Sequence, residues 1–238
     1  MKRVALTAAS VLSLAAVLTA CGGSDSDAKP KGAPSSPKAE QAKQATPTER
    51  LAKLMVTKAG PYTLKEPETE EAFATSTDEV TVEKPECAPL VYAMNDLPLG
   101  DPEAHLTRVT NGGGSTSMLT YVTLSTYEDG KAEAAMKELA AAAASCGGGF
   151  SATSKSDGSV VYDSAKTENA PKAGDESLAT SATFDFQGFP QTVRTQTFRF
   201  GDTIASYFTL DSGAFMSARL GDAEIPADLV KAQNAKLG

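Results

Sequence analysis

The fold is decided by residues 118–146, which read MLTYVTLSTYEDGKAEAAMKELAAAAASC. The first seven, Met118 to Leu124, are rich in β-branched and aromatic types and predict a strand. The next four, Ser-Thr-Tyr-Glu at 125–128, have the spacing of a capping box, and Asp129 adds a second acid. Ala132 to Ala144 then strongly favours helix. The segment therefore predicts a strand that runs directly into a long helix.

One face of this helix is expected to pack into the core. Its apolar stripe is formed by Met136, Leu139, Ala140 and Ala143. Cys146 lies seven residues after Leu139, which is two helical turns, so it falls on nearly the same face. The glycines at 147–149 are expected to end the helix, with Gly147 as its left-handed cap.

The C-terminal third predicts antiparallel strands. Ala182, Phe184 and Phe186 alternate with polar residues, which indicates one buried face. Residues 200–203, Phe-Gly-Asp-Thr, predict a two-residue hairpin turn. The hairpin is not simply amphipathic, because Phe198 and Phe200 fall on one face whereas Ile204 and Phe208 fall on the other. Either both faces are covered, one of them by helix, or a bulge shifts the register.

The remaining elements are short. Short strands are predicted at Tyr62–Leu64 and Val80–Val82, and a helix carrying Leu90–Met94 follows Cys87-Ala88-Pro89. A turn at Asp211–Gly213 leads into an extended Ala214–Leu220, and Pro226 opens a last helix, Ala227–Leu237. Together they predict a single α+β domain, with an antiparallel sheet flanked by helices and one disulfide.

The N-terminus has the pattern of an export signal. Lys2 and Arg3 precede an uncharged run, Val4 to Ala20, which is slightly short for the roughly 20 apolar residues of a membrane span. Residues 18–21, Leu-Thr-Ala-Cys, resemble the lipobox of bacterial lipoprotein precursors. The resemblance implies a signal peptide at 1–20 and a lipid on the Cys21 thiol. The alternatives are an uncleaved anchor or an ordinary signal with a chance cysteine.

Residues 21–48 are predicted to form a disordered linker, since Gly, Ser, Pro, Ala and Lys dominate and almost nothing there can form a core. Residues 49–238 are long enough for one domain. Loss of the signal leaves 20 basic against 30 acidic residues, so the formal charge moves from -8 to -10. No basic face is evident, which argues against nucleic acid as a partner. The chain is expected to lie at the outer face of the cell membrane, where the lipid anchors it.

Cys87 and Cys146 remain after lipidation of Cys21. An even pair in an oxidising compartment predicts a disulfide, here between the entrance of one helix and the exit of another. A redox or nucleophilic cysteine is the alternative, but the chain has no CxxC motif.

Catalytic signatures are missing from the sequence. His105 is the sole histidine and no G-x-S-x-G elbow is present, so a Ser-His-Asp hydrolase is not indicated, and His105 is expected to face solvent. The chain lacks the His and Cys ligands of a zinc site and the loop of a calcium site. The acidic run Glu66, Glu68, Glu70, Glu71, Asp78, Glu79 is interpreted as a solvated segment. No enzyme, cofactor or metal is predicted, and scattered tyrosines without tryptophan count mildly against sugar binding.

Several motifs follow one another in a recognisable order. Residues 80–89 read VTVEKPECAP, a helix and strands lead to the alanine-rich helix ending at Cys146, and GDES at 174–177 is followed by RFGDTIA at 199–205. This order resembles the PknH-like extracellular sensor domain family, found on receptor kinases and on lipoproteins, over most of residues 63–237. The resemblance implies an antiparallel sheet flanked by helices and a cleft for an unidentified extracellular ligand.

Two residues carry over from this family. They are Cys87 and Cys146; the kinase versions have two disulfides, whereas these cysteines allow one. The sequence has no kinase domain, so signalling would need a partner protein. The leading hypothesis is a non-enzymatic surface lipoprotein that binds an extracellular ligand or an envelope protein, with its ligand-binding residues not identified. The rivals are a carrier of lipid or another apolar molecule, an exported hydrolase using carboxylates or serine, and an accessory subunit of an envelope complex.

Overall fold

A computed structural model describes residues 45–68, 73–112 and 117–238. The signal peptide 1–20, Cys21 and most of the linker lie outside the described residues. The helices are α1 (Pro47–Leu54), α2 (Ala88–Ala93), α3 (Lys131–Ser145), α4 (Ser212–Ser217) and α5 (Ala227–Asn234). The strands are β1 (Lys58–Ala59), β2 (Tyr62–Thr63), β3 (Val80–Val82), β4 (Ala104–Asn111), β5 (Met118–Thr126), β6 (Phe150–Ser154), β7 (Gly158–Glu168), β8 (Glu176–Phe186), β9 (Phe189–Phe200), β10 (Thr203–Asp211) and β11 (Gly221–Asp222).

Nine strands form the main sheet. Eight follow the order β3-β6-β7-β8-β9-β10-β5-β4, all antiparallel, and β11 adds to β9 in parallel. The small strands β1 and β2 pair with each other. This arrangement confirms the predicted α+β domain with an antiparallel sheet and flanking helices. The first helix begins at Pro47, two residues before the expected start of the domain at 49.

Helices cover both faces of the sheet, which resolves the two-sided hairpin. The β9–β10 pairing runs without a register shift, so a bulge is not the cause. Ile204 and Phe208 belong to the cluster that packs under α2 and α3. Phe198 belongs to a second cluster, under α1 and α5. Because successive side chains of a strand point to opposite faces, both sets of apolar residues are buried.

The strand–helix junction after β5 differs from the prediction. Ser125 and Thr126 are still paired with β10, so the ladder takes residues that the capping-box pattern assigned to a helix start. Helix α3 begins at Lys131, after Gly130 in a left-handed conformation with φ 76°. Glycine adopts such a conformation without steric penalty.

Helix α3 buries a wider stripe than expected. Ala140 is exposed, and the buried residues are Ala132, Ala135, Met136, Leu139, Ala142 and Ala143. The left-handed glycine after the helix is Gly149, with φ 86°, and Gly147 does not adopt this conformation. A Cβ at position 149 would lie 2.6 Å from the carbonyl oxygen of Tyr162. The triplet therefore ends the helix, but through its third glycine.

Residues 212–217 form helix α4, where the sequence predicted an extended segment from Ala214. Asp211 caps this helix by accepting a hydrogen bond from the Ala214 backbone N–H at 3.1 Å. The same carboxylate accepts from Ser117 at 2.6 Å and pairs with Arg219 at 3.1 Å. This N-cap outweighs the weak extended preference of the following residues. The last helix begins after Pro226 as expected and ends at Asn234.

The predicted disulfide is present. It joins Cys87, directly before α2, to Cys146, directly after α3, with their Cα atoms 5.8 Å apart. Both cysteines are buried. The bond therefore ties together the two helices on one face of the sheet, as the sequence predicted.

Two of the quoted motifs meet in one contact. Arg199 pairs with Glu176 at 2.7 Å and with Asp175 at 3.2 Å. Asp175 also accepts a hydrogen bond from the Gly201 backbone N–H at 2.7 Å, which fixes the β9–β10 turn. The segment 174–177, which leads into β8, and the segment 199–205, which spans the β9–β10 turn, are thus neighbours, so their joint appearance in the sequence has a structural cause.

Candidate ligand-binding cleft

A concave cleft lies on the α2–α3 side of the sheet. It encloses about 250 Å³ between β5, β7, β8, β9, β10, the loop after α2, and α4. The chain has nine Phe and six Tyr, and the cleft is lined by seven of these: Phe73, Tyr121, Tyr162, Phe184, Phe186, Phe208 and Phe215. Aromatic residues that are scattered along the sequence therefore form one surface.

The aromatic rings contact one another in series. Tyr162 lies 5.0 Å from Phe150 and 5.7 Å from Phe184, measured between ring centroids. Phe215 of α4 lies 5.9 Å from Phe184 and 5.0 Å from Phe186. These separations are within the range of favourable aromatic pairs, so the rings support one another as a wall.

Asp96 places a carboxyl group in this aromatic wall. It lies in the loop after α2 in a left-handed conformation, with φ 51°. Its carbonyl oxygen accepts hydrogen bonds from Thr123 at 3.1 Å and from Thr107 at 3.4 Å, which hold the loop against β4 and β5. Left-handed residues other than glycine are uncommon, and such strained positions cluster at functional sites.

The Asp96 carboxyl group has no hydrogen-bond or ion-pair partner among the residues that the structure describes. Burial raises its pKa to about 7, because an apolar environment disfavours the charged form. At neutral pH the group therefore exchanges between carboxylate and carboxylic acid. It is able to accept a hydrogen bond, to donate one, or to bind a cation.

The neighbouring residue Asn95 fixes the floor of the cleft. Its side-chain amide donates to the Val91 carbonyl at 2.8 Å and to the Tyr162 hydroxyl at 3.2 Å. Burial raises the pKa of Tyr162 to about 12, although the hydrogen bond from Asn95 acts in the opposite direction. Tyr162 thus stays neutral and held in place, which leaves Asp96 as the titrating group beside it.

The charge of the cleft is negative. Asp157, an exposed residue of the β6–β7 turn, is a second acidic group in its lining. Within the described ranges, no lysine, arginine or histidine lines the cleft. The site therefore combines aromatic surface with uncompensated carboxyl groups.

Helix α4 forms one edge of the cleft through Phe215. On the other side of Phe215 a shallower space of about 520 Å³ is lined by Leu119, Leu210 and Met216. Met216 is 88% exposed. The apolar surface thus continues past the helix toward solvent.

A second cavity lies on the opposite face, between α5 and β9. It measures about 510 Å³ and is bordered by Lys172 and Lys231. The side-chain oxygen of Gln196 is buried at its wall and has no hydrogen-bond partner. Both lysines are exposed, so the charged groups beside this cavity are solvated.

The residues singled out in the sequence lie elsewhere. His105 is exposed on β4, as predicted, and desolvation lowers its pKa. In the acidic run, Glu66 pairs with Arg108, Glu68 pairs with Lys65, and Glu79 bonds Thr75; Glu70 and Glu71 lie outside the described residues. No group of three metal-ligating side chains occurs in the described part of the chain. Sequence reasoning missed Asp96, which carries no motif.

The comparisons with known proteins bear on the fold. The extracellular domain of PknH from Mycobacterium tuberculosis superimposes with a TM-score of 0.52 at 13% sequence identity, over 82% of this chain and 95% of that one. No protein-family model and no curated protein matched the sequence. None of the described helices is long and apolar enough to cross a membrane. The described domain thus has the fold of the PknH extracellular domain.

Proposed function

We propose that this chain is a lipid-anchored bacterial surface lipoprotein whose domain binds an extracellular ligand in the aromatic cleft without catalysing a reaction. The observation that carries the proposal is Asp96, whose carboxyl group has no partner among the described residues and lies at the wall of a concave aromatic surface. A largely apolar pocket with few polar groups is the usual form of a small-molecule site.

The anchor part of the proposal rests on residues 18–21 and on the linker that follows. The fold likeness to the extracellular domain of PknH agrees with a position outside the cell. We propose that a ligand signal passes to an envelope protein that recognises the occupied domain.

The non-enzymatic part rests on the isolation of Asp96. Acid–base chemistry by carboxyl groups needs a second group placed for its own step. Among the described residues no hydrogen bond or charge shifts the pKa of the Asp96 carboxyl group, and no cluster of three His, Cys, Asp or Glu side chains occurs. The rival hydrolase predicts turnover in panels of ester, glycoside and peptide substrates that is abolished by Asp96→Asn.

The volume of the aromatic cleft alone is small for a lipid carrier, although the space beyond Phe215 and the cavity beside α5 are each about twice as large. About 250 Å³ is below the roughly 300–1,000 Å³ of common ligand pockets, and the cleft is open on one side. It suits a small molecule or the end group of a larger one. A carrier would instead release extractable lipid on denaturation.

The test is mass spectrometry of the full chain under native and denaturing conditions, after purification from its own membranes in lipid nanodiscs. We expect a bound small molecule in the native spectrum that is lost on denaturation. A native mass equal to that of the processed chain, with growth medium and envelope extract both supplied, would contradict ligand binding. Crosslinking in cells to a single dominant partner, with no bound molecule, would favour the accessory subunit.

A further inference from the structure

We infer that the ligand of the aromatic cleft is an organic cation, an amine or quaternary ammonium group on a small apolar body. This inference rests on the proposed function and names the chemistry of the same site. Its basis is the joint presence of Asp96, a series of aromatic rings and a lining whose described residues include no basic side chain.

The Asp96 carboxyl group lacks a partner among the described residues. A carboxylate taken out of water is destabilised unless it is paired. Glu168 and Asp211, in contrast, are paired with Arg194 and Arg219. Asp96 is partly buried and has no partner among the described residues, so its carboxylate form offers half of an ion pair that a cation entering the cleft would complete.

The aromatic side chains of the cleft form a surface of rings. Tyr121 stacks with Phe208 at 5.7 Å, and Phe184, Phe186 and Phe215 follow on the other side of the cleft. The faces of aromatic rings attract cations, by about 0.5–2 kcal/mol according to desolvation, and quaternary ammonium groups are bound in this way. The anionic group of an acid or a phosphate would gain nothing from the ring faces and would be repelled by the Asp96 carboxylate.

The electrostatic field around the cleft also favours a cation. Asp157 at the rim adds a second negative group. The 238-residue sequence carries a formal charge of -8, and -10 without residues 1–20, which raises the local concentration of cations at its surface. Both effects act against anionic ligands and in favour of cationic ones.

The state of Asp96 makes the recognition depend on pH. Burial raises its pKa to about 7, so the carboxylate that binds a cation forms as the pH rises through 7. The other titratable groups near it are Asp157, Tyr121 and Tyr162, with His105 farther along β4 on an exposed position. Cation binding should strengthen from pH 5.5 to pH 8, and it should lose this dependence in Asp96→Asn.

The experiment compares three probes with one benzyl body and tetrahedral heads of different charge: benzyltrimethylammonium, benzyl methyl sulfone and phenylmethanesulfonate. Each is titrated at pH 8 by calorimetry into the full chain in zwitterionic nanodiscs, with empty discs as the blank. Asp96→Asn removes the charge with a residue that also tolerates a left-handed conformation. Asp163→Asn is the matched control, because Asp163 is exposed and does not line the cleft.

We expect the ammonium probe to bind at least about tenfold more tightly than either other probe, since one partly buried charge pair exceeds 1.4 kcal/mol. Asp96→Asn should abolish this preference and Asp163→Asn should keep it. Equal binding of the three probes, an unchanged preference in Asp96→Asn, or no binding of the ammonium probe overturns the inference. If the sulfone or the sulfonate binds in the cleft instead, the cation inference fails and the proposed ligand-binding function stands. If no probe binds and native mass spectra show no bound molecule, both the inference and the proposed function fail.

Discussion

Asp96 ties the cleft to the stability of the domain. Its pKa is about 7 in the folded chain and about 4 in an unfolded one. Between these values the folded state holds a proton that the unfolded state has released. The free energy of unfolding therefore falls as the pH rises from 4 to 7, and it levels off above that.

The Asp96→Asn variant should lack this loss. We expect it to be more stable than the parent by more than about 1.4 kcal/mol at pH 8, because the two pKa values differ by more than one unit. The gain should disappear near pH 4. Urea denaturation at pH 4, 6 and 8 measures it, with Asp163→Asn as the exposed control. A difference that is the same at all three pH values would show that Asp96 does not titrate in this way.

Gly174 is a residue at which the backbone has no room for a side chain. Its φ is 62°, and a Cβ there would lie 2.1 Å from the Arg199 carbonyl oxygen. Gly188, at φ 86° in the β8–β9 turn, has nothing within 4 Å of the same position. We expect Gly188→Ala to cost about 1 kcal/mol from backbone conformation alone, and Gly174→Ala to cost clearly more. Equal losses in denaturation midpoint would refute the role of the close contact.

Elements with a strong local signal were predictable. Strand β5, helix α3, the β9–β10 turn and helix α5 follow from β-propensity, alanine content, Gly201 and Pro226. The start of α3 was not, because pairing of Ser125 and Thr126 with β10 is a long-range contact that local capping patterns do not contain. Helix α4 was missed although its N-cap, Asp211 bound to the Ala214 N–H, is local; the contacts of Asp211 with Ser117 and Arg219 are not part of a local capping pattern.

The disulfide is an element-scale staple between α2 and α3. It closes a loop with a sequence separation of 59, and the chain-entropy model gives about 4 kcal/mol for such a loop. The double variant Cys87→Ala/Cys146→Ala should lose stability of this order in urea denaturation. Reductant should destabilise the parent similarly and leave the double variant unchanged. Iodoacetamide labelling of both cysteines in the native, unreduced chain would contradict the bond.

At the scale of the whole molecule, the sequence predicted the sheet and its flanking helices but not the cleft. The cleft collects Phe73, Tyr162, Phe208 and Phe215 from segments far apart in the chain, and only the strand order brings them together. The opposing faces of Phe198 and Ile204 did indicate two covered sides. The choice between that and a bulge required the actual register.

Anchoring is also a property of the whole chain. If Cys21 is lipidated, cells fed an alkyne-tagged palmitate should label the parent chain, because lipoprotein processing attaches acyl chains at this residue. Cys21→Ser should lose the label, whereas the double variant Cys87→Ser/Cys146→Ser should keep it. If the Cys21→Ser variant is labelled as strongly as the parent, the lipid lies elsewhere. If the parent is not labelled, lipidation is excluded.

The central claim, that the aromatic cleft holds the ligand, is tested most directly by a pair of neighbouring substitutions on β7. Val160 lines the cleft, whereas Val161 points to the other face and is 62% exposed. Val160→Phe should fill the cleft and Val161→Phe should not, since adjacent strand residues face opposite sides. In native mass spectra of the full chain, we predict that the bound molecule is lost from Val160→Phe and retained by Val161→Phe. Retention by both would contradict the assignment of the ligand to this cleft.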